Sequence, residues 1–200
     1  MKKKIIFLIF VFLRISNSYS NEITSFQELS FSKIQKQKGE FDCGISVVQS
    51  ILINLFDIEV SQKEISSLIY LSSSEKENGG ISFLDMKKIF LFFSIETEGF
   101  KIENKNNFLN NLTDINLPII CHLQDEEKLK NGHFVILYKV TKNNVFILDP
   151  KLGERIYKYE YFEKKWSGNF LSLVTNFDNN YPSQQSEHKM FLLDYYYNEY

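Results

Sequence analysis

The chain has 200 residues, 44% hydrophobic and 16% aromatic, with 23 basic and 25 acidic side chains for a formal net charge of −2. That length and apolar content suit one domain with a real core. The lack of a basic excess argues against nucleic acid as a partner, and eight glycines and three prolines are too few for a low-complexity chain.

The first twenty residues stand apart. Lys2, Lys3 and Lys4 precede an apolar run from Ile5 to Leu13, Arg14 interrupts it, and small residues lead to Ser18 and Ser20. This order predicts a signal peptide over 1–20, cut after Ser20. The apolar core is about nine residues, against the roughly twenty needed to span a bilayer. Export to the periplasm or the extracellular space is expected, with an uncleaved membrane anchor as the alternative. Losing the segment's four positive residues leaves 19 basic against 25 acidic side chains, a net charge of −6.

A short N-terminal segment, 21–33, leads to Gln37-Lys38-Gly39-Glu40-Phe41-Asp42-Cys43-Gly44. Val47, Val48, Ile51, Leu52 and Leu55 then recur at helical spacing through Phe56. Cys43 thus lies at a helix start, where unpaired backbone N–H groups and the helix dipole favour thiolate over thiol. Ser61-Gln62-Lys63-Glu64 is a capping box opening a second helix through Tyr70. A polar loop to Gly80 follows. Ser82 opens a third helix, with Asp85 in its first turn and Phe83, Met86, Ile89, Phe90 and Phe93 on its buried side.

The period then changes. Residues 95–101, 118–123, 133–140 and 144–149 read as strands rich in β-branched and aromatic residues. A hairpin turn at 141–144 joins the last two, and Pro150 ends the second at Asp149. Residues 156–157 and 170–174 read as further strands, flanking a short helix over 161–165. Helices first and an antiparallel sheet second is an α+β pattern. From 176 to 200 the chain is a polar tail or a docking helix.

Two cysteines in an exported chain invite a disulfide. Cys121 lies in an apolar strand candidate, however, and two unpaired thiols are the better reading, one reactive and one buried. A cysteine hydrolase also needs a histidine, a group to orient it and an oxyanion donor. His133 begins its strand after Gly132, and Asp149 closes the partner strand. Antiparallel pairing around the turn brings the two to the hairpin's open end, provided the register does not slip by one residue. His122 is the rival imidazole, inside the apolar strand, and His188 lies in the tail. No cofactor is called for: a zinc site from Cys43, Cys121, His122 and His133 would have irregular ligand spacing.

At these residues the chain resembles the bacteriocin-processing cysteine peptidases, family thirty-nine of the cysteine peptidases, which have a papain-like fold. The similarity starts at Gln37 and Asp42-Cys43-Gly44 and continues through Gly80-Ile81-Ser82 with its helix. Leu117-Pro118-Ile119-Ile120, the run 132–140, and Ile147-Leu148-Asp149-Pro150 with Gly153 follow. Tyr161-Phe162 and Trp166-Ser167-Gly168 close it, so it covers 34–174 of an expected peptidase domain at 34–175. The resemblance implies Cys43 as nucleophile, Gln37 as oxyanion donor, His133 as general base and acid, and Asp149 as its orienting group. It implies cleavage after small residues such as Gly-Gly, with a peptide or protein substrate.

Family members usually form the N-terminal domain of exporters, and this chain carries no phosphate-binding loop. A freestanding exported form is similar to the periplasmic peptidases of functional-amyloid secretion, which makes a separate exporter or secretion system an expected partner. The alternatives are a non-catalytic, chaperone-like client-binding module, or an amidase or acyl transferase on the same residues.

Overall fold

A computed structural model of the chain describes residues 26–72, 80–103, 105, 117–125 and 129–174. The expected signal segment, the polar tail and most of the loop before Gly80 lie outside these residues. In chain order the elements are α1 (Phe26–Ser30), α2 (Cys43–Phe56), α3 (Gln62–Ser72), α4 (Phe83–Phe92), β1 (Thr97–Lys101), β2 (Ile119–Asp125), β3 (Leu129–Val140), β4 (Asn144–Asp149), β5 (Gly153–Lys158), α5 (Tyr159–Lys165) and β6 (Trp166–Leu173).

Two of the helix starts have a local cause. Ser61 and Glu64 exchange bonds at the start of α3: Ser61 N–H donates to Glu64 Oε2 at 2.7 Å, and Glu64 N–H to Ser61 Oγ at 3.2 Å. Ser82 and Asp85 do the same for α4. Such reciprocal caps satisfy donors that the first turn cannot pair. α2 ends at Asp57, whose left-handed backbone lets its own N–H donate to the Ile53 carbonyl and the Ile58 N–H donate to that of Leu52.

All six strands join one antiparallel sheet in the order β1-β6-β2-β3-β4-β5. Alternation along the strands divides the core in two. Ile120, Phe134, Ile136, Leu148 and Leu171 face α2 and α4, meeting Val47, Val48, Ile51, Leu52, Met86 and Phe90. Ile119, Cys121, Val135, Leu137, Ile147 and Phe170 face the other way, under Phe162 of α5 and Trp166. Each fully buried aliphatic side chain contributes about 1.5–3 kcal/mol before entropy. The architecture is the α+β, papain-like arrangement expected, with helices packed on an antiparallel sheet.

Several boundaries differ from the expectation. α1 leaves no signal in the sequence, since five residues are too few to show a helical period. β1 begins at Thr97, β5 covers 153–158, and β6 begins at Trp166. β3 begins at Leu129, so His133 does not start its strand but lies four residues into it. The cause is Gly132: its φ of +71° bends the strand, and the β2–β3 register shifts between Leu123 and Asp125. A Cβ at Gly132 would collide with His122 Nε2 and the Leu123 carbonyl, so glycine is required there. A pattern search for unbroken alternation stops at such a break.

Candidate active site

The site is assembled from two ends: the N-terminus of α2 and the open end of the β3–β4 hairpin. Cys43 is the first residue of α2 and is 8% exposed. Asp42 precedes it without a side-chain bond to the helix. Its carboxylate instead accepts the Gly39 N–H at 2.7 Å, which fixes the preceding loop and leaves the helix start uncapped by a side chain. Gly44 follows because α2 packs closely on α4: a Cβ would sit 2.5 Å from Ile81 Cγ1 and 2.8 Å from Met86 Cε. The glycine avoids that clash.

His133 and Asp149 meet as the hairpin reading required. Nε2 of His133 donates to Asp149 Oδ1 at 2.9 Å, with side chains 16% and 4% exposed. The same oxygen accepts the Lys151 N–H at 2.7 Å and the Leu152 N–H at 3.1 Å. The Asp-Pro-Lys-Leu turn therefore clamps the carboxylate before it reaches the imidazole.

The same imidazole also interacts with the Cys43 thiol. Burial pulls the His133 pKa down. Hydrogen bonds and charge from Asp149 and Cys43 outweigh it and raise the value to about 9. The arrangement favours an imidazolium between two acids, one of them a nucleophile.

A strap over 33–37 joins the two ends. Asn54 Nδ2 donates to the Lys33 carbonyl at 2.8 Å, and the Gln35 N–H donates to Ser50 Oγ at 2.9 Å, both on α2. The Gln37 N–H then donates to the Pro150 carbonyl at 2.9 Å. The nucleophile's helix and the carboxylate's turn are thus tied through one short segment. Each of these bonds has a backbone group of the strap as one partner, which carries no residue signature in a sequence.

Gln37 lies on that strap. Its side-chain Nε2 donates to the Gly39 carbonyl at 2.8 Å and, more weakly, to that of Glu40 at 3.3 Å. Oε1 is buried without a hydrogen-bond partner. The amide is therefore beside the Cys43 loop, with its donors turned to that loop's carbonyls.

The other candidates sit elsewhere. The His122 ring packs against Phe134, 5.1 Å between centroids, and edge-on to Phe83 at 6.4 Å. Cys121 is a free, fully buried thiol in the far-side core, and burial pushes its pKa up. Cys43 is also free and belongs to the helix-side core. Among the described residues no group of three or more His, Cys, Asp or Glu is arranged to hold a metal.

The chain spans 65% of the length of a curated Pseudomonas aeruginosa relative, to which it is 25% identical over 155 residues, 76% of this chain. That relative is named "Probable functional amyloid protease FapD". A second is the lactococcin-G-processing and transport ATP-binding protein LagD of Lactococcus lactis subsp. lactis, 29% identical over 78% of this chain and 20% of its own length. Among solved structures, the peptidase domain of Streptococcus ComA aligns at TM-score 0.59 and 22% identity, covering 70% of this chain and 96% of that one. A double glycine motif protease solved with a leader peptide aligns at TM-score 0.57 and 19% identity, over 70% and 91% of the two chains. These structures share the fold. The model of the peptidase C39 family matches residues 32–178, and the chain belongs to that family of cysteine peptidases.

Proposed function

We propose that the chain is an exported cysteine endopeptidase that cuts a peptide or leader after small residues such as Gly-Gly. The observation that carries this is the shared imidazole: His133 is hydrogen-bonded to the clamped Asp149 and interacts with the Cys43 thiol at a helix start. The Cys43 thiolate attacks the scissile carbonyl. Negative charge on the carbonyl oxygen is held by the Cys43 backbone N–H and by Gln37 Nε2, which exchanges its weak bond to Glu40 for the oxyanion. As the intermediate collapses, the C–N bond breaks and Nδ1 of His133 gives its proton to the leaving amine. Water then attacks the thioester, His133 takes a proton from it, and Cys43 is released as the acid product departs. The Asp149 carboxylate holds the ring and stabilises its positive charge throughout, and takes no proton from it.

The small-residue preference is supported by the double-glycine protease solved with a leader peptide, and a link to secretion by the FapD and LagD relatives. The signal-like first twenty residues support export. The test is to incubate the mature protein with a panel of Gly-Gly peptides beside Cys43→Ala and His133→Ala. Wild type is expected to form a thioester and cut at the glycine pair, with both variants inactive. If wild type binds the peptides tightly but forms no thioester and cuts nothing, the chain is a client-binding module instead. Acyl transfer to an added amine without net cleavage would make it a transferase.

A further inference from the structure

The β3–β4 pairing is not uniform. Val140 pairs with Val145 and Lys139 with Phe146, whereas Leu137 pairs with Ile147 and Ile136 with Leu148. One extra residue on β3, Tyr138, takes up the difference as a bulge. This break decides the site. Continuing the Ile136–Leu148 register places Asp149 opposite Val135, on the side of β3 that His133 shares. Continuing the Val140–Val145 register without the bulge would place Asp149 opposite Ile136. Its carboxylate would then point to the other face of the sheet, away from His133, because a slip of one residue inverts every side chain.

The bulged residue is held from outside its own strand. The Tyr138 side chain crosses β4 over Phe146, with ring centroids 6.2 Å apart, and its hydroxyl donates to Glu154 Oε1 on β5. Glu154 is itself register-paired with Leu148, next to Asp149. Lys33 completes the set: its Nζ lies 3.2 Å from Glu154 Oε1 and 5.6 Å from the centre of the Tyr138 ring. Lys33 begins the strap that continues to Gln37 and the Pro150 carbonyl. The bulge, the strand beyond it and the strap thus converge on one carboxylate.

We propose that Tyr138, Glu154 and Lys33 are positioning residues, which lock the β3 bulge and so keep Asp149 on the His133 side of the sheet. None of the three touches the reacting atoms. This rests on the reading of Cys43, His133 and Asp149 as the catalytic set. The acidic groups facing the His133 ring are Asp149 from β4 and Cys43 from α2. A loosened bulge therefore weakens the Asp149 contact and lets the imidazolium lose its proton at lower pH.

The test uses the mature chain and the pH profile of kcat/KM. Tyr138→Phe removes one hydroxyl and keeps the ring in place. It is expected to lower kcat roughly tenfold at unchanged KM, a part of the roughly 10²–10⁴ that general acid–base chemistry supplies. The alkaline limb should fall by about half to one pH unit, within what loss of a charge contact gives. Glu154→Leu, which keeps bulk on β5 and removes the acceptor, should do the same.

In an Asp149→Asn background neither change should move the limb further, since the carboxylate they position is gone. A limb that stays put in both single variants overturns the proposal, as does an equal shift with and without Asp149. If wild type and Asp149→Asn share one profile, the catalytic reading itself falls and takes the proposal with it.

Discussion

The two faces of the sheet are packed from the same stock of residues and each holds one cysteine, yet only one of the two thiols meets an imidazole. The far-side core surrounds Cys121 with Ile119, Val135, Ile147 and Trp166, all fully buried. Its thiol meets apolar carbon, and burial disfavours its charged form. The helix-side core is as dry at Val47, Leu52 and Phe90, but it runs out at Cys43, where a helix begins and an imidazole arrives. A cysteine becomes a nucleophile through what lies at the edge of a core. The comparison also explains why no disulfide links the pair: the sheet separates the two thiols.

Substitutions at the two thiols should separate the faces most sharply. Cys43→Ala is expected to abolish cleavage, a loss of at least about 10³-fold in kcat/KM, while leaving the melting temperature nearly unchanged. Cys121→Ser should do the reverse. Activity below the melting transition should persist, and stability should fall by about 1–3 kcal/mol, the cost of burying a hydroxyl among apolar neighbours. Activity assays beside thermal melts check both, and a Cys121→Ser enzyme that is stable but inactive would break the division. Iodoacetamide should likewise label Cys43 in the native protein and Cys121 only after denaturation, as peptide mapping would reveal.

Asp149→Asn should cost less than loss of the nucleophile, about 10²–10⁴-fold in kcat/KM at neutral pH. Its sign with pH is specific. The imidazolium that protonates the leaving amine persists up to about pH 9 in the wild type. Asp149 is one of the groups that raise it, so the alkaline limb of the variant must lie below pH 9. Stability follows the same linkage. A histidine raised from 6.5 stabilises the fold fully below pH 6.5, and that contribution is lost as pH rises through about 9. Melting temperatures across this range should decline more for wild type than for His133→Ala.

How much of this was legible in the sequence depended on the kind of signal. Period and caps are local, so α2, α3 and α4 and the limits of β4 could be read from Ser61, Glu64, Ser82 and the alternation at 144–149. The turn at 141–144 made it legible that His133 and Asp149 fall near the same open end of the hairpin, but not which face Asp149 takes. The bulge at Tyr138 was not legible: its cause is a hydroxyl reaching across β4 to Glu154, a contact with no periodic trace. The strap was invisible for the same reason, since its bonds to Ser50, Asn54 and Pro150 involve backbone atoms. Residues 1–20 and 176–200, which carry the export expectation and the tail, lie outside the described structure.

The smallest change that still probes the comparison is Gly44→Ala, because it tests how tightly the reactive face is packed. The new methyl would press on Ile81 Cγ1 at 2.5 Å and Met86 Cε at 2.8 Å. Both contacts are with side-chain atoms, and methionine yields readily. Alanine also suits a helix better than glycine by about 1 kcal/mol. Overpacking costs about 1–3 kcal/mol, so the net loss of stability should be about 0–2 kcal/mol. The more telling readout is catalytic. Since α4 lies against the first turn of α2, relief of the clash displaces Cys43 relative to His133. A fall in kcat exceeding the fall in stability, partly restored by Met86→Ala, would place the limit on the reactive face in that contact. Unchanged kcat would mean that the strap alone holds Cys43 in register with the hairpin end.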